Sequence, residues 1–331
     1  MLMVGANTIP YLLVPPAPLW LRAISSIAAP TFILLSGMMV ALSVGRKNYD
    51  LWYFLSRGII VVLLAAALQV ATWGSLPFID MDVLYLIGIS LPIAYFFLKL
   101  EPRVRWIVIG AIFCLAPVFQ VLFGYGTDTL HASATALMNP GPFPGLMEII
   151  HQWLIDGWFP VFPWLGISLL GAQLGTIRWK GGTVGSFATK KIVAIALGLI
   201  ATGTACMALF PGPLYTRDGY VELFYPPTIG FLLAVSGVVI GLFVLADMLP
   251  PRSRVTDPLR ALGECSLAIY LLHSLVIAWI ISPLGLSVSL PGFIVVFGIF
   301  VTGMIGVAYI LRSIRPGSRK RSLIIRMLIG G

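Results

Sequence analysis

The chain alternates between long apolar runs and short connections that collect its charge. About 20 apolar residues in a helix cross a bilayer core of roughly 30 Å. Runs of this kind lie at 24–44, 58–73, 83–98, 106–123, 158–177, 192–210, 228–249, 262–281 and 292–311. A further apolar segment, 1–13, stops at Pro15-Pro16; at helical rise it reaches only about 20 Å. It has neither the basic flank nor the small-residue cleavage site of a signal peptide, and reads as the outer part of a transmembrane helix whose beginning is missing. The pattern predicts an all-α, polytopic integral membrane bundle of about ten helices, the first truncated, with residues 1–331 as one domain. The runs are too long and too uniformly apolar for the alternating strands of a membrane barrel.

Composition sharpens this reading. The chain is 59% hydrophobic and 10% charged with a mean hydropathy of +1.00, whereas a soluble domain carries about 25% charged residues. Its net charge of +9 suggests nucleic acid, but the cations are dispersed over short connections. Nineteen of the 21 Lys and Arg fall after even-numbered spans, and only Arg22 and Arg217 fall elsewhere. The positive-inside rule makes the richer side cytoplasmic, with 124–157 as an extracytoplasmic loop and 312–331 as a basic cytoplasmic tail. The expected location is a bacterial inner membrane, with lipid and not nucleic acid as partner. Cys114, Cys206 and Cys265 have no paired spacing and read as small core residues.

One ionisable group interrupts the lipid phase. His273 falls near the middle of 262–281, and a buried imidazole must face a bundle interior or a wet cavity. It is either a site residue or a neutral histidine satisfied by a backbone carbonyl. The extracytoplasmic half holds the other candidates: Asp80 and Asp82 before the fourth span, His131, His151 and Asp156 in the long loop, and Glu222 and Tyr225 in ELFYPPT. Asp82 also suits a helix cap, and His151 an interfacial position. Pro30…Gly37 and Pro163…Gly171 repeat one pattern, but in parallel spans, unlike the inverted repeats of many transporters. Their Ser and Gly residues suit close helix packing. No HExxH, GxSxG, glycine-rich phosphate loop or metal-spaced cluster occurs, so no metal is expected.

Six segments taken in order carry a resemblance. PTFILLSGMMVAL (30–42), LSRGIIVVLL (55–64), DVLYLIGISL (82–91), FPWLGISLLGAQLG (162–175), FYPPT (224–228) and LGECSLAIYLLHSLV (262–276) resemble the bacterial heparan-α-glucosaminide N-acetyltransferase-like family of transmembrane acyltransferases. The resemblance implies transfer of an acyl group, usually acetyl, from acetyl-CoA or another acyl-CoA to an amine or hydroxyl of an extracytoplasmic sugar or glycan. It places Arg57, Asp82 and His273 at the site. His151 joins Asp82 and His273 as a catalytic candidate, with Asn7, Asp80, Tyr225 and Trp164 toward the acceptor and Arg57, Arg46 and Arg103 toward the polyanionic donor. A homodimer is a further expectation. The chain departs from the family at its start: an Arg…Asp…Arg-Gly opening is absent, and Asn7 stands where a histidine is expected. Asn7 hydrogen-bonds but cannot act as a base, which keeps two alternatives open, an inactive family member and a small-solute or lipid permease.

Overall fold

The computed structural model describes residues 1–47, 49–125, 145–179, 183–210, 221–250, 253–254 and 256–314. Helices α1 (Leu2–Leu12), α2 (Leu19–Ser25), α3 (Ala28–Lys47), α4 (Leu51–Trp73), α5 (Val83–Phe97), α6 (Pro102–Phe123) and α7 (Leu146–His151) form the first half. The second half contains α8 (Val161–Arg178), α9 (Lys190–Leu209), α10 (Ile229–Met248), α11 (Thr256–Glu264), α12 (Ser266–Val276), α13 (Ser282–Leu284) and α14 (Leu290–Ser313). Single π-helical turns, Gln152–Asp156 and Ile277–Ile281, extend α7 and α12. No β-strand forms among the described residues. His131, most of the 124–157 connection and nearly all of the basic tail lie outside them.

Seven helices are long and apolar enough to cross a membrane singly, and the bent pair Leu146–Asp156 with Val161–Arg178 makes an eighth. This is an integral membrane bundle. The α1 and α5 helices occupy the two remaining expected positions, with 11 and 15 residues. Local chemistry sets several boundaries. The Asp50 carboxylate accepts from the Tyr53 N–H and caps α4, which ends at Gly74 with φ of 58°. Thr189 and Thr228 cap α9 and α10 in the same way.

The bundle is organised around α8, in which every residue from Pro163 to Gly175 is buried. Its closest partner is α3. A Cβ on Gly37 would stand 1.8 Å from the Ser168 carbonyl oxygen, and one on Gly171 would stand 1.9 Å from that of Leu34. The two backbones touch because small residues permit it, the means by which apolar helices associate where lipid is as apolar as leucine. By contrast, only 11% of α9 and 17% of α6 and α14 is buried, which puts these helices at the lipid perimeter.

The basic helix ends gather at one end of the bundle. Arg105 reaches Gln173 at 3.4 Å, Arg178 pairs with Asp247, and Arg312 bridges Asp257 and Glu264 at 3.0 and 3.6 Å. At the opposite end Trp153 donates to the Phe78 carbonyl, Phe159 N–H to that of Met81 and Leu223 N–H to Ser26 Oγ.

The ninth span differs from the expected 262–281. The chain breaks at Cys265 (φ −105°, ψ 23°), and the membrane helix runs over Ser266–Leu284. Residues before the break form the separate α11, whose Asp257, Arg260 and Glu264 are held in ion pairs with α14 and with each other. A face that charged does not enter hydrocarbon. In the sixth span the helix α8 likewise begins at Val161 and not Trp158, because Pro160 is its cap and Phe159 is bonded to the Met81 carbonyl.

Candidate active site

Two adjoining cavities lie between α1, α3 and α12, sharing Met3, Ala28 and Tyr270 in their walls. The smaller, of about 50 Å³, is the more polar of the two and lies toward the end opposite the basic residues. Asn7, Ser25, Asp82, Glu222, Phe224 and Tyr270 line it. The larger, of about 250 Å³, is apolar and extends past Phe32, Ile269 and Leu35 to Leu262 and Gly263 of α11. Together they lead from a carboxylate-bearing chamber toward the basic end.

Each polar group is set in place by local structure. Asp82 is the N-cap of α5: Oδ1 accepts the Val83 N–H at 2.6 Å, and Oδ2 accepts the Tyr270 hydroxyl at 3.3 Å. Burial pushes this carboxyl up from its ordinary value and the Asp80 charge adds to the rise, while the Val83 and Tyr270 hydrogen bonds oppose it. Glu222 sits in a connection fixed on both sides. Arg22 Nε donates to the Val221 carbonyl at 2.8 Å, and Leu223 N–H donates to Ser26 Oγ at 2.7 Å. Next to it, the Phe224 ring meets Trp164 edge-on at 4.9 Å. Burial raises the Glu222 carboxyl to about 7, against the lowering pull of backbone N–H groups and of Arg22.

His273 is fully buried and forms part of the wall of the larger cavity. Its Nδ1 lies 2.8 Å from the Ile269 carbonyl, which only accepts, so Nδ1 carries the proton. Nε2 then holds the lone pair and accepts from Asn7 Nδ2 at 2.9 Å. Asn7 thus joins α1 to α12, and the imidazole is neutral with both nitrogens engaged.

The structure brings His273, Asn7, Asp82 and Glu222, all singled out in the sequence, to one place and adds Tyr270. Others named from the sequence lie apart from the cavities. His151 bonds the Phe123 carbonyl at 3.1 Å, fastening α7 to the end of α6, and its Nδ1 lies 3.1 Å from an Asp156 carboxylate oxygen. Asp80 precedes the cavity wall without lining it. Tyr225 is buried against Trp158 and Phe224. Trp164 is fully buried, its ring supporting Phe224 and Phe159. At the basic end Arg57 donates to the Tyr53 hydroxyl and lies 5.1 Å over its ring, while Arg46 and Arg103 are exposed. Lys47 and Lys99 sit over Tyr49 and Tyr95 at 5.6 and 4.5 Å. The sequence signal for Glu222 was its place two residues before FYPPT, a motif whose prolines draw attention to Tyr225. Among the described residues, no three His, Cys, Asp or Glu side chains converge as metal ligands.

Comparison with known proteins gives two family matches. Residues 182–317 match a protein family of unknown function (DUF418). Residues 7–207 match the model for heparan-alpha-glucosaminide N-acetyltransferase, catalytic, which takes in Asn7, Arg57, Asp82 and the central α8 and stops before Glu222 and His273. No curated protein and no solved structure matches the chain. With more than half its length inside the second of these models, and the expected multi-helix membrane bundle behind it, the chain belongs to the heparan-alpha-glucosaminide N-acetyltransferase family.

Proposed function

We propose that this chain, as a single unit, transfers an acyl group, in the first instance acetyl, from acyl-CoA to an amine or hydroxyl of an extracytoplasmic sugar. The carrying observation is the paired cavity: a chamber lined by two carboxylates, an amide and a phenol, adjoining an apolar chamber that extends toward the basic end. The basic end faces the cytoplasm of a bacterial inner membrane, by the positive-inside rule, and meets the donor. Arg57, Lys47 and Lys99 suit its phosphates, because each rests on an aromatic ring and forms no ion pair with a carboxylate among the described residues. Arg46 and Arg103, exposed on the same side, add to the attractive field.

The donor supplies a thioester, and the protein's own groups do the rest. Asp82 and Tyr270 orient the acceptor, and the Asn7 amide, held by His273, is a preorganised hydrogen-bond donor near the reacting carbonyl. His273 thereby acts on Asn7 and not on the substrate. Surrounding hydrocarbon keeps bulk water from the thioester.

Purified full-length protein incubated with radiolabelled acetyl-CoA and a panel of amino sugars tests this reading. Transfer of label to a sugar supports it. Solute uptake into proteoliposomes without CoA supports a permease instead, and silence in both assays supports an inactive family member.

A further inference from the structure

An acceptor that attacks a thioester must lose a proton, and the conventional base for that step is not available here. His273 has spent its lone pair on Asn7, and its other nitrogen is bonded to Ile269. Asn7 has no basic atom. Asp82 is held as the cap of α5 by the Val83 N–H and by the Tyr270 hydroxyl, and both bonds favour its ionised form and oppose its taking up a proton. Glu222 remains. It lines the same polar cavity as Asn7, Asp82 and Tyr270. Its main chain is fixed by the Arg22–Val221 and Leu223–Ser26 hydrogen bonds, and its carboxyl draws on the Glu222 and Val221 backbone N–H groups and on the Arg22 charge, without capping a helix.

Resting on the acyltransferase reading, we propose that Glu222 is the general base that deprotonates the acceptor. The charged and titratable groups facing it are Arg22 from α2, Asp82 from the head of α5 and Tyr270 from α12. A carboxyl that burial holds at about 7 is matched to this task at neutral pH. An ordinary solvated glutamate would be too weak a base. In the step, the acceptor nitrogen or oxygen gives its proton to the Glu222 carboxylate and bonds to the thioester carbonyl carbon. The carbon–sulfur bond breaks, and the departing CoA thiolate takes the proton from the Glu222 carboxyl. The products are the acylated acceptor and free CoA thiol, with Glu222 ionised again.

The test uses full-length protein, radiolabelled acetyl-CoA and glucosamine. Wild-type kcat should rise with pH through about 7, since a carboxyl with a raised value ionises there and not near 4.5. Glu222→Gln should lower kcat by about 100-fold or more, the range of general-base catalysis, and abolish the pH dependence. Glu222→Asp should keep the rising limb at reduced rate. A carbodiimide, which modifies protonated carboxyls, should label wild-type Glu222 below pH 7 and progressively less above it, a readout independent of turnover and of any folding defect in the variants. Glu222→Gln with the wild-type rate and pH profile, or labelling that does not change between pH 6 and 8, overturns the assignment and leaves the acyltransferase reading standing. A wild-type protein inert toward every donor and acceptor removes that reading and the base along with it.

Discussion

Substituting Gly171 tests whether α3 and α8 are in backbone contact. A Cβ there would stand 1.9 Å from the Leu34 carbonyl oxygen, whereas real Cβ atoms keep at least 3.0 Å. One of the helices must therefore retreat by about 1.1 Å, and the obstacle is backbone, which has no rotamer to change. Overpacking costs about 1–3 kcal/mol where side chains yield, so Gly171→Ala should sit at the upper end, about 3 kcal/mol. Gly110 is the matched control: it lies within α6 at the lipid perimeter, and a Cβ there meets nothing within 4 Å. There the same substitution should be neutral or stabilising by up to about 1 kcal/mol, from the helix preference of alanine over glycine. Reversible unfolding of the purified protein in mixed micelles, followed by circular dichroism, measures both. The reasoning fails if Gly171→Ala is as stable as wild type, or if the two substitutions shift stability in the same direction by similar amounts.

Asn7→Ala should leave His273 Nε2 as a buried acceptor with no donor, costing about 1–3 kcal/mol in the same unfolding assay and lowering any transfer rate. Arg57→Ala should raise KM for acetyl-CoA about tenfold with kcat little changed, the signature of lost uniform binding, and the effect should shrink at high salt. Asp247→Ala removes the acceptor shared by Arg178 and the Phe187 N–H. It should destabilise the protein by about 2 kcal/mol, given that both side chains are only part-buried, and speed proteolysis in the 183–189 connection. Asp82→Asn keeps a capping oxygen but removes a charge, so it should cost less than about 1 kcal/mol in stability while weakening glucosamine binding, as equilibrium dialysis would measure.

Much of the fold was legible in the chain because lipid imposes a simple rule: backbone polar groups must be satisfied within each segment. Length and hydropathy therefore located the helices, and Gly37, Gly171 and Gly175 marked the close packing. Charge broke that legibility at α11. Asp257, Arg260 and Glu264 bracket residues that look apolar enough to begin a span, and only their ion pairs with one another and with α14 show that the membrane helix starts later.

The site divided differently. A histidine in a transmembrane run and an aspartate at a helix mouth stand out in any reading, and both lie at the cavities. Their chemistry was decided by partners 188 and 266 residues away in the chain, Tyr270 for Asp82 and Asn7 for His273. A one-dimensional pattern carries periodicity and charge, but not which lone pair is already occupied. Glu222 shows the same limit from the other side. In the sequence it is one more loop carboxylate, and its place in the cavity wall follows from α1, α2, α5 and α12 converging around a connection that Arg22 and Ser26 hold against them.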